Sequence, residues 1–95
     1  MAKATLQGTV IAESDDTVVV DGMTYFPREA VRSDILRPSQ HTSVCGWKGT
    51  ATYFDVVSDA NVAAEAAFEY ADPSEAAAAI RGRIAFWRDV SVTDS

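Results

Sequence analysis

Two β-rich runs joined by an Asp-Gly pair constrain this chain more than any other feature. Thr17-Val18-Val19-Val20 and Met23-Thr24-Tyr25-Phe26 flank Asp21-Gly22. Asp and Gly tolerate the positive φ that a type I′ turn demands, so the segment is expected to be a β-hairpin. Pro27 follows, removes a backbone donor and ends the second strand.

The rest of the chain extends this β reading. Ala4 to Ile11 is a strand-forming mix of Thr, Leu, Val and Ile that stops at the polar cluster Glu13-Ser14-Asp15-Asp16. Arg28 to Leu36 has room for one helical turn. Pro38 biases Arg37 away from helix, so Arg37-Pro38-Ser39-Gln40 is expected to be a loop. Lys48 to Val57 reads as the longest strand. Its period of two puts Gly49, Ala51, Tyr53 and Asp55 on one face and Lys48, Thr50, Thr52, Phe54 and Val56 on the other.

Ala60 to Tyr70 gives conflicting signals. Alanine propensity favours helix, whereas the alternation of Ala66, Phe68 and Tyr70 with Ala67, Glu69 and Ala71 favours strand over Glu65 to Tyr70. Asp72-Pro73-Ser74-Glu75 before an alanine run carries a cap, a first-position proline and a capping-box glutamate, which predicts a helix stopped by Gly82. Arg83 to Trp87 and Val90-Ser91-Val92 read as a terminal strand bent near Arg88-Asp89. The expected fold is mainly β: a small compact antiparallel structure, β-tent-like or a partly open barrel or sandwich, with one short helix in the C-terminal half.

Ninety-five residues are expected to form one domain. A chain of this size buries roughly 60–70% of its unfolded surface, enough for a fold whose site is shallow or surface-facing. Eight bases against 14 acids give a net charge of −6. The bases are scattered, so nucleic acid and anionic membranes are disfavoured as partners. One cysteine allows no internal disulfide. The first residues lack the apolar core of a signal peptide, and no run approaches the ~20 apolar residues of a membrane span. The expectation is a soluble, cytoplasmic protein.

Usable chemistry is concentrated between Ser39 and Tyr53, which hold the only histidine, the only cysteine, one of two tryptophans and one of two lysines. The run Cys45-Gly46-Trp47-Lys48-Gly49-Thr50-Ala51-Thr52-Tyr53 has a familiar setting: Tyr25-Phe26-Pro27 and Leu36 before it, Tyr70, Pro73 and Ile80-Arg81-Gly82-Arg83-Ile84-Ala85-Phe86 after it. This pattern resembles a widespread family of small bacterial domains of unknown function, sometimes labelled nucleotidyltransferase-like. The likeness spans nearly the whole chain and implies a compact β-rich fold akin to the β-tent folds. Gly46 stands where that family usually has proline, and Phe68 where it usually has tryptophan.

The nucleotidyltransferase label finds no support in the residues. Metal-dependent nucleotidyl transfer needs carboxylates spaced to hold Mg²⁺, typically two on alternate positions of one strand. Asp15 and Asp16 are adjacent and would face opposite ways; Asp55 has no acidic partner two residues away. No Gly-rich phosphate loop precedes a helix.

Each candidate residue carries a functional and a structural reading. Cys45 is a nucleophile if a cation lowers its pKa, and a small half-buried core residue otherwise. His41, in a polar segment, is an acid–base group or simply exposed. A His41–Cys45 zinc pair would lack two further ligands, so no metal is expected. Lys48 could hold an anionic ligand, with Gly49 letting that ligand approach the backbone; otherwise it lies exposed over Trp47. Trp47 could be the floor of a pocket, with Tyr53 and Tyr70 offering hydroxyls, or all three are core aromatics. Arg28 could supply a second anion contact or be solvated.

Two functional readings follow. In the first, Trp47, Lys48, Tyr53, Tyr70 and Arg28 form a site that binds a small anionic or aromatic molecule. In the second, Cys45 is a nucleophile or redox centre assisted by Lys48 or His41. Binding is favoured, because no orienting acid–base pair is visible. A purely structural or partner-binding role is a third option. The sequence specifies no cofactor, ligand or oligomeric state.

Overall fold

A computed structural model of the chain describes residues 1–94. Among the described residues nine strands run in chain order: β1 (Ala2–Leu6), β2 (Thr9–Ser14), β3 (Val18–Val20), β4 (Met23–Phe26), β5 (Leu36–Cys45), β6 (Gly49–Ser58), β7 (Asn61–Glu69), β8 (Ile84–Phe86) and β9 (Ser91–Asp94). They form two antiparallel sheets, ordered β2-β1-β9 and β3-β4-β8-β7-β6-β5. The mainly β fold is as expected, and the sheets do not close into a barrel.

The Asp21-Gly22 hairpin is present as read, with Val20 opposite Met23 and φ of +52° and +78° at the two turn residues. The single strand expected over Ala4 to Ile11 is instead two strands. Gln7 (φ +50°) and Gly8 (φ +82°) turn the chain back, so that Leu6 faces Thr9. The loop expected at Arg37 to Gln40 lies within β5. That strand is an edge, where Pro38 leaves no central ladder bond unmade, and a bulge between Pro38 and Thr42 absorbs the misfit. The strand expected over Glu65 to Tyr70 is present as far as Glu69 and begins earlier, at Asn61, while Tyr70 makes only an isolated bridge to Arg81. The bent terminal strand resolves into β8 and β9, which belong to different sheets.

The helix expected after Pro73 is a 3-10 segment of six residues, Glu75–Ile80, preceded by Ser74 with no side-chain cap and interrupted at Ala77. Ser74 spends its bonding elsewhere. Its N–H donates to the Lys48 carbonyl at 3.0 Å, and its hydroxyl donates to the Trp47 carbonyl. Asp72, the expected cap, accepts from Arg81 Nη1 at 3.3 Å instead. Arg28–Ala30 and Ser33–Ile35 are 3-10 turns. Among the described residues no helix is long and apolar enough to cross a membrane.

Alternation along the strands builds two apolar layers on the larger sheet. Phe26, Ile84, Phe86, Ala67 and Val56 face Leu6, Ile11 and Ala4 of the smaller sheet. Their neighbours Tyr25, Ala85, Phe68 and Ala51 face the opposite way and pack with Tyr70, Ala77 and Ile80. The 3-10 segment covers only part of this second face. The aromatic side chains it leaves open form the candidate site.

In β6 the expected alternation holds: Ala51 and Tyr53 pack in the second layer, Phe54 and Val56 in the first. The register against β7 shifts here because β7 bulges, placing residues 64–66 opposite the single residue Asp55. The bulge is held by Asp55, whose Oδ1 accepts the Glu65 N–H at 2.9 Å, with Glu65 at a left-handed φ of +56°.

Candidate functional site

A cavity of about 140 Å³ opens on the second face, lined by Met23, Tyr25, Lys48, Tyr53, Phe68, Tyr70 and Trp87. Five strands or their ends contribute. The β3–β4 hairpin brings Met23 and Tyr25, the β5–β6 turn brings Lys48, and β6 brings Tyr53. Phe68 comes from β7, Tyr70 from just beyond it, and Trp87 follows β8.

Phe68 is the hub of the aromatic wall. Tyr25, Tyr70 and Trp87 meet its ring at 88–89°, with centroids 6.1 to 6.3 Å away. Edge-to-face contacts of this kind match the positive rim of one ring to the negative face of the next. Tyr53 lies 5.5 Å from Phe68 in a tilted contact, and its hydroxyl is 3.0 Å from that of Ser43. Trp87 is fixed from outside, where its Nε1–H donates to the Glu65 carbonyl at 2.7 Å.

Among the described residues Lys48 is the one cation lining the cavity, and at 9% exposure it does not lie open on the surface over Trp47. Its ammonium donates to Asp21 Oδ2 at 2.9 Å and lies 5.1 Å from the Trp47 ring centroid and 5.8 Å from that of Tyr70. Aromatic faces attract a cation most where water is thin, so this setting holds the charge in place. Its backbone is set by the three-residue turn Gly46-Trp47-Lys48 and by the two Ser74 bonds. Gly49, at φ +116°, completes the turn. A side chain there would meet the Asp72 carbonyl oxygen and Pro73 Cα at 3.5 and 3.6 Å. The close approach at Gly49 is therefore made by the chain's own residues 72–74.

The electrostatics push the lining groups away from neutrality. Burial drives the Tyr25 pKa up to about 12 against the pull of Lys48. Burial also raises that of Tyr70. For Lys48 burial favours the neutral amine, but the Asp21 bond, with Tyr70, Cys45 and Tyr25 behind it, outweighs this and leaves the pKa raised. Lys48 is thus held as an ammonium, and Tyr25 and Tyr70 as neutral phenols. None is poised as a base near neutral pH.

Several predicted site residues meet here and others do not. Lys48, Tyr53 and Tyr70 line the cavity. Trp47 covers Lys48 from outside and is 43% exposed, so it is not the floor. Cys45 ends β5 and packs beside the second apolar layer. The backbone N–H groups of Trp47 and Lys48, then the lysine charge, draw its thiol pKa down. His41 stands in β5, stacks on Tyr53 at 4.5 Å and meets Glu65 Oε2 at 3.6 Å, backing the wall rather than lining it. Arg28 lies apart, over Phe54 and paired with Glu69 at 3.8 Å.

Sequence reasoning missed Asp21, Met23, Tyr25, Phe68 and Trp87 as site residues. Their signal was partial. The alternation in Met23-Thr24-Tyr25 puts Met23 and Tyr25 on one face, but strand order across the sheet is what carries them to Lys48. Asp55, weighed as a metal ligand, is occupied by the bulge and by Arg37 at 3.5 Å. Among the described residues no three His, Cys, Asp or Glu side chains converge on a metal position.

Fold and site together define a small two-sheet β domain with an aromatic cavity and one enclosed lysine. The chain belongs to the family described as a domain of unknown function (DUF427), whose model matches residues 1–94. No curated protein matches the sequence.

Proposed function

We propose that the chain is a single ligand-binding domain whose cavity takes a small anionic or aromatic molecule. The observation that carries this reading is the enclosed Lys48 ammonium on a wall otherwise made of five aromatic side chains and Met23. Such a site offers apolar faces for affinity and one charge for orientation, the usual division of labour in small-molecule pockets. The raised pKa values of Lys48, Tyr25 and Tyr70 favour binding over acid–base catalysis. A thermal-shift screen of small acids and aromatics on wild type and Lys48→Met tests the proposal, because a ligand of the native state raises its melting temperature. Anionic hits that stabilise wild type and lose their effect in the variant support it. A screen in which nothing stabilises wild type overturns it.

A second reading rests on Cys45, the one thiol, whose pKa is lowered beside Lys48. In that reading the thiolate is a nucleophile or redox centre at the edge of the cavity, and Lys48 stabilises its charge. His41 is four residues back along β5, about 13 Å at strand rise, so Lys48 is the better-placed assistant. Substrate turnover abolished by Cys45→Ala would establish this reading. Binding that survives the same substitution would return the site to the first.

A further inference from the structure

The ion pair in the site has unequal halves. The Lys48 side chain is 11% exposed, whereas the Asp21 side chain that meets it is 58% exposed. Asp21 reaches in from the two-residue tip of the β3–β4 hairpin, where its carboxylate meets Lys48 and also accepts from the Trp47 side chain. An ammonium carries three donors. Asp21 takes one and the Cys45 sulfur interacts with another, while Trp47 and Tyr70 offer ring faces rather than acceptor oxygens. The carboxylate therefore holds, from the solvent side, the single cationic position of the cavity.

Size and charge narrow what can compete for that position. About 140 Å³ is close to the roughly 150 Å³ at which an apolar cavity admits benzene, so there is room among the walls for one six-membered ring. One ammonium, already facing one carboxylate, balances a monoanion. A phosphate dianion brings more charge than the site neutralises, and no arginine is among the described lining residues to grip it bidentately. The chain's net charge of −6 adds to the bias against polyanions.

Building on the binding function proposed above, we propose that the cavity takes single-ring carboxylic acids, and that Asp21 is the internal competitor displaced from Lys48 by the ligand's carboxylate. The ring enters among Tyr25, Tyr53, Phe68, Tyr70 and Trp87, and its acid group replaces Asp21 on the ammonium. The released hairpin tip returns to water, where an exposed aspartate is well solvated. Asp21 thus sets the affinity without touching the ring.

The test uses benzoate, benzyl alcohol and phenyl phosphate, titrated against wild type, Asp21→Asn and Lys48→Met. Both tryptophans border the site, so intrinsic fluorescence reads occupancy, and thermal melts confirm that each variant is folded. The expected pattern is benzoate binding to wild type ahead of phenyl phosphate, about tenfold tighter binding to Asp21→Asn, and loss of benzoate but not benzyl alcohol in Lys48→Met. Equal benzoate affinity in wild type and folded Asp21→Asn overturns the competitor. Benzyl alcohol binding without benzoate binding overturns the carboxylate class and leaves the binding function standing. No binding of any of the three probes to wild type or Asp21→Asn overturns the proposal, whereas failure of the binding function itself is read from the broader screen.

Discussion

Trp87 donates its indole N–H to the main-chain oxygen of Glu65 at 2.7 Å, across 22 residues of sequence. Glu65 presents that oxygen because it sits in a bulge with φ of +56°, and Asp55 holds the bulge by accepting the Glu65 N–H. The position of one cavity wall therefore depends on a carboxylate outside the cavity. Asp55→Ala removes a charged acceptor and is expected to cost about 1.5–3 kcal/mol, with Asp55→Asn retaining part of it. Trp87 fluorescence should shift to the red in Asp55→Ala as the indole loosens. Denaturant melts with unchanged stability and an unchanged emission maximum would show that the bulge holds itself.

Gly49 predicts a second effect on the opposite side of the cavity. Its φ of +116° is disfavoured for any residue with a Cβ, and residues 72–74 close over it. Gly49→Ala should destabilise by about 1–3 kcal/mol, chiefly through backbone strain. It should also weaken the Ser74 bonds to Trp47 and Lys48, visible as faster amide hydrogen exchange at Ser74. Wild-type stability in Gly49→Ala would place the restraint elsewhere.

The parts of the fold legible in the sequence are those whose signals act locally. Asp21-Gly22 needs only its own φ values, and the alternation through Phe68 needs only its own strand. The helix at Pro73 did not form as read: Asp72, the expected cap, accepts from Arg81, and Ser74 donates to Trp47 and Lys48, long-range partners invisible in a linear reading. The Gln7-Gly8 turn escaped because glutamine is not a customary partner in a type I′ pair. Lys48, Tyr53 and Tyr70 were legible as site residues because the first two share one turn and strand with Trp47 and Tyr70 ends the alternating strand. Asp21 and Trp87 were not, since strand order brings them there from 27 residues before Lys48 and 39 after it.

The Lys48–Asp21 pair predicts a pH signature. Lys48 has a raised pKa, so its contribution to stability is complete below the ordinary lysine value of 10.5 and is lost as pH climbs through the folded value. The Lys48 bond lowers the Asp21 pKa, with the Trp47 side chain adding to it. That contribution is complete above the ordinary carboxylate value of 3.8 and is lost as pH falls through the lowered one. The melting-temperature difference between wild type and Lys48→Met should therefore stay flat across neutrality and shrink at both extremes. A difference that changes steeply between about pH 6 and 8 would assign the coupling to another group, since neither partner titrates there.

The last prediction concerns the thiol. Cys45 is part-exposed at the end of β5, and the N–H groups of Trp47 and Lys48, followed by the lysine charge, favour its thiolate. Alkylation of the native protein should follow a titration curve with its midpoint below that of a free cysteine, about 8.5. Lys48→Met should move the midpoint up by removing the charge while leaving the backbone donors in place. Asp21→Asn should move it down, because the carboxylate no longer offsets the ammonium. Opposite shifts from two substitutions in one ion pair separate an electrostatic effect on the sulfur from a general loosening of the turn, which would speed labelling in both. Labelling no faster than global unfolding in wild type would make Cys45 a packing residue, and the nucleophile reading would lose its central atom.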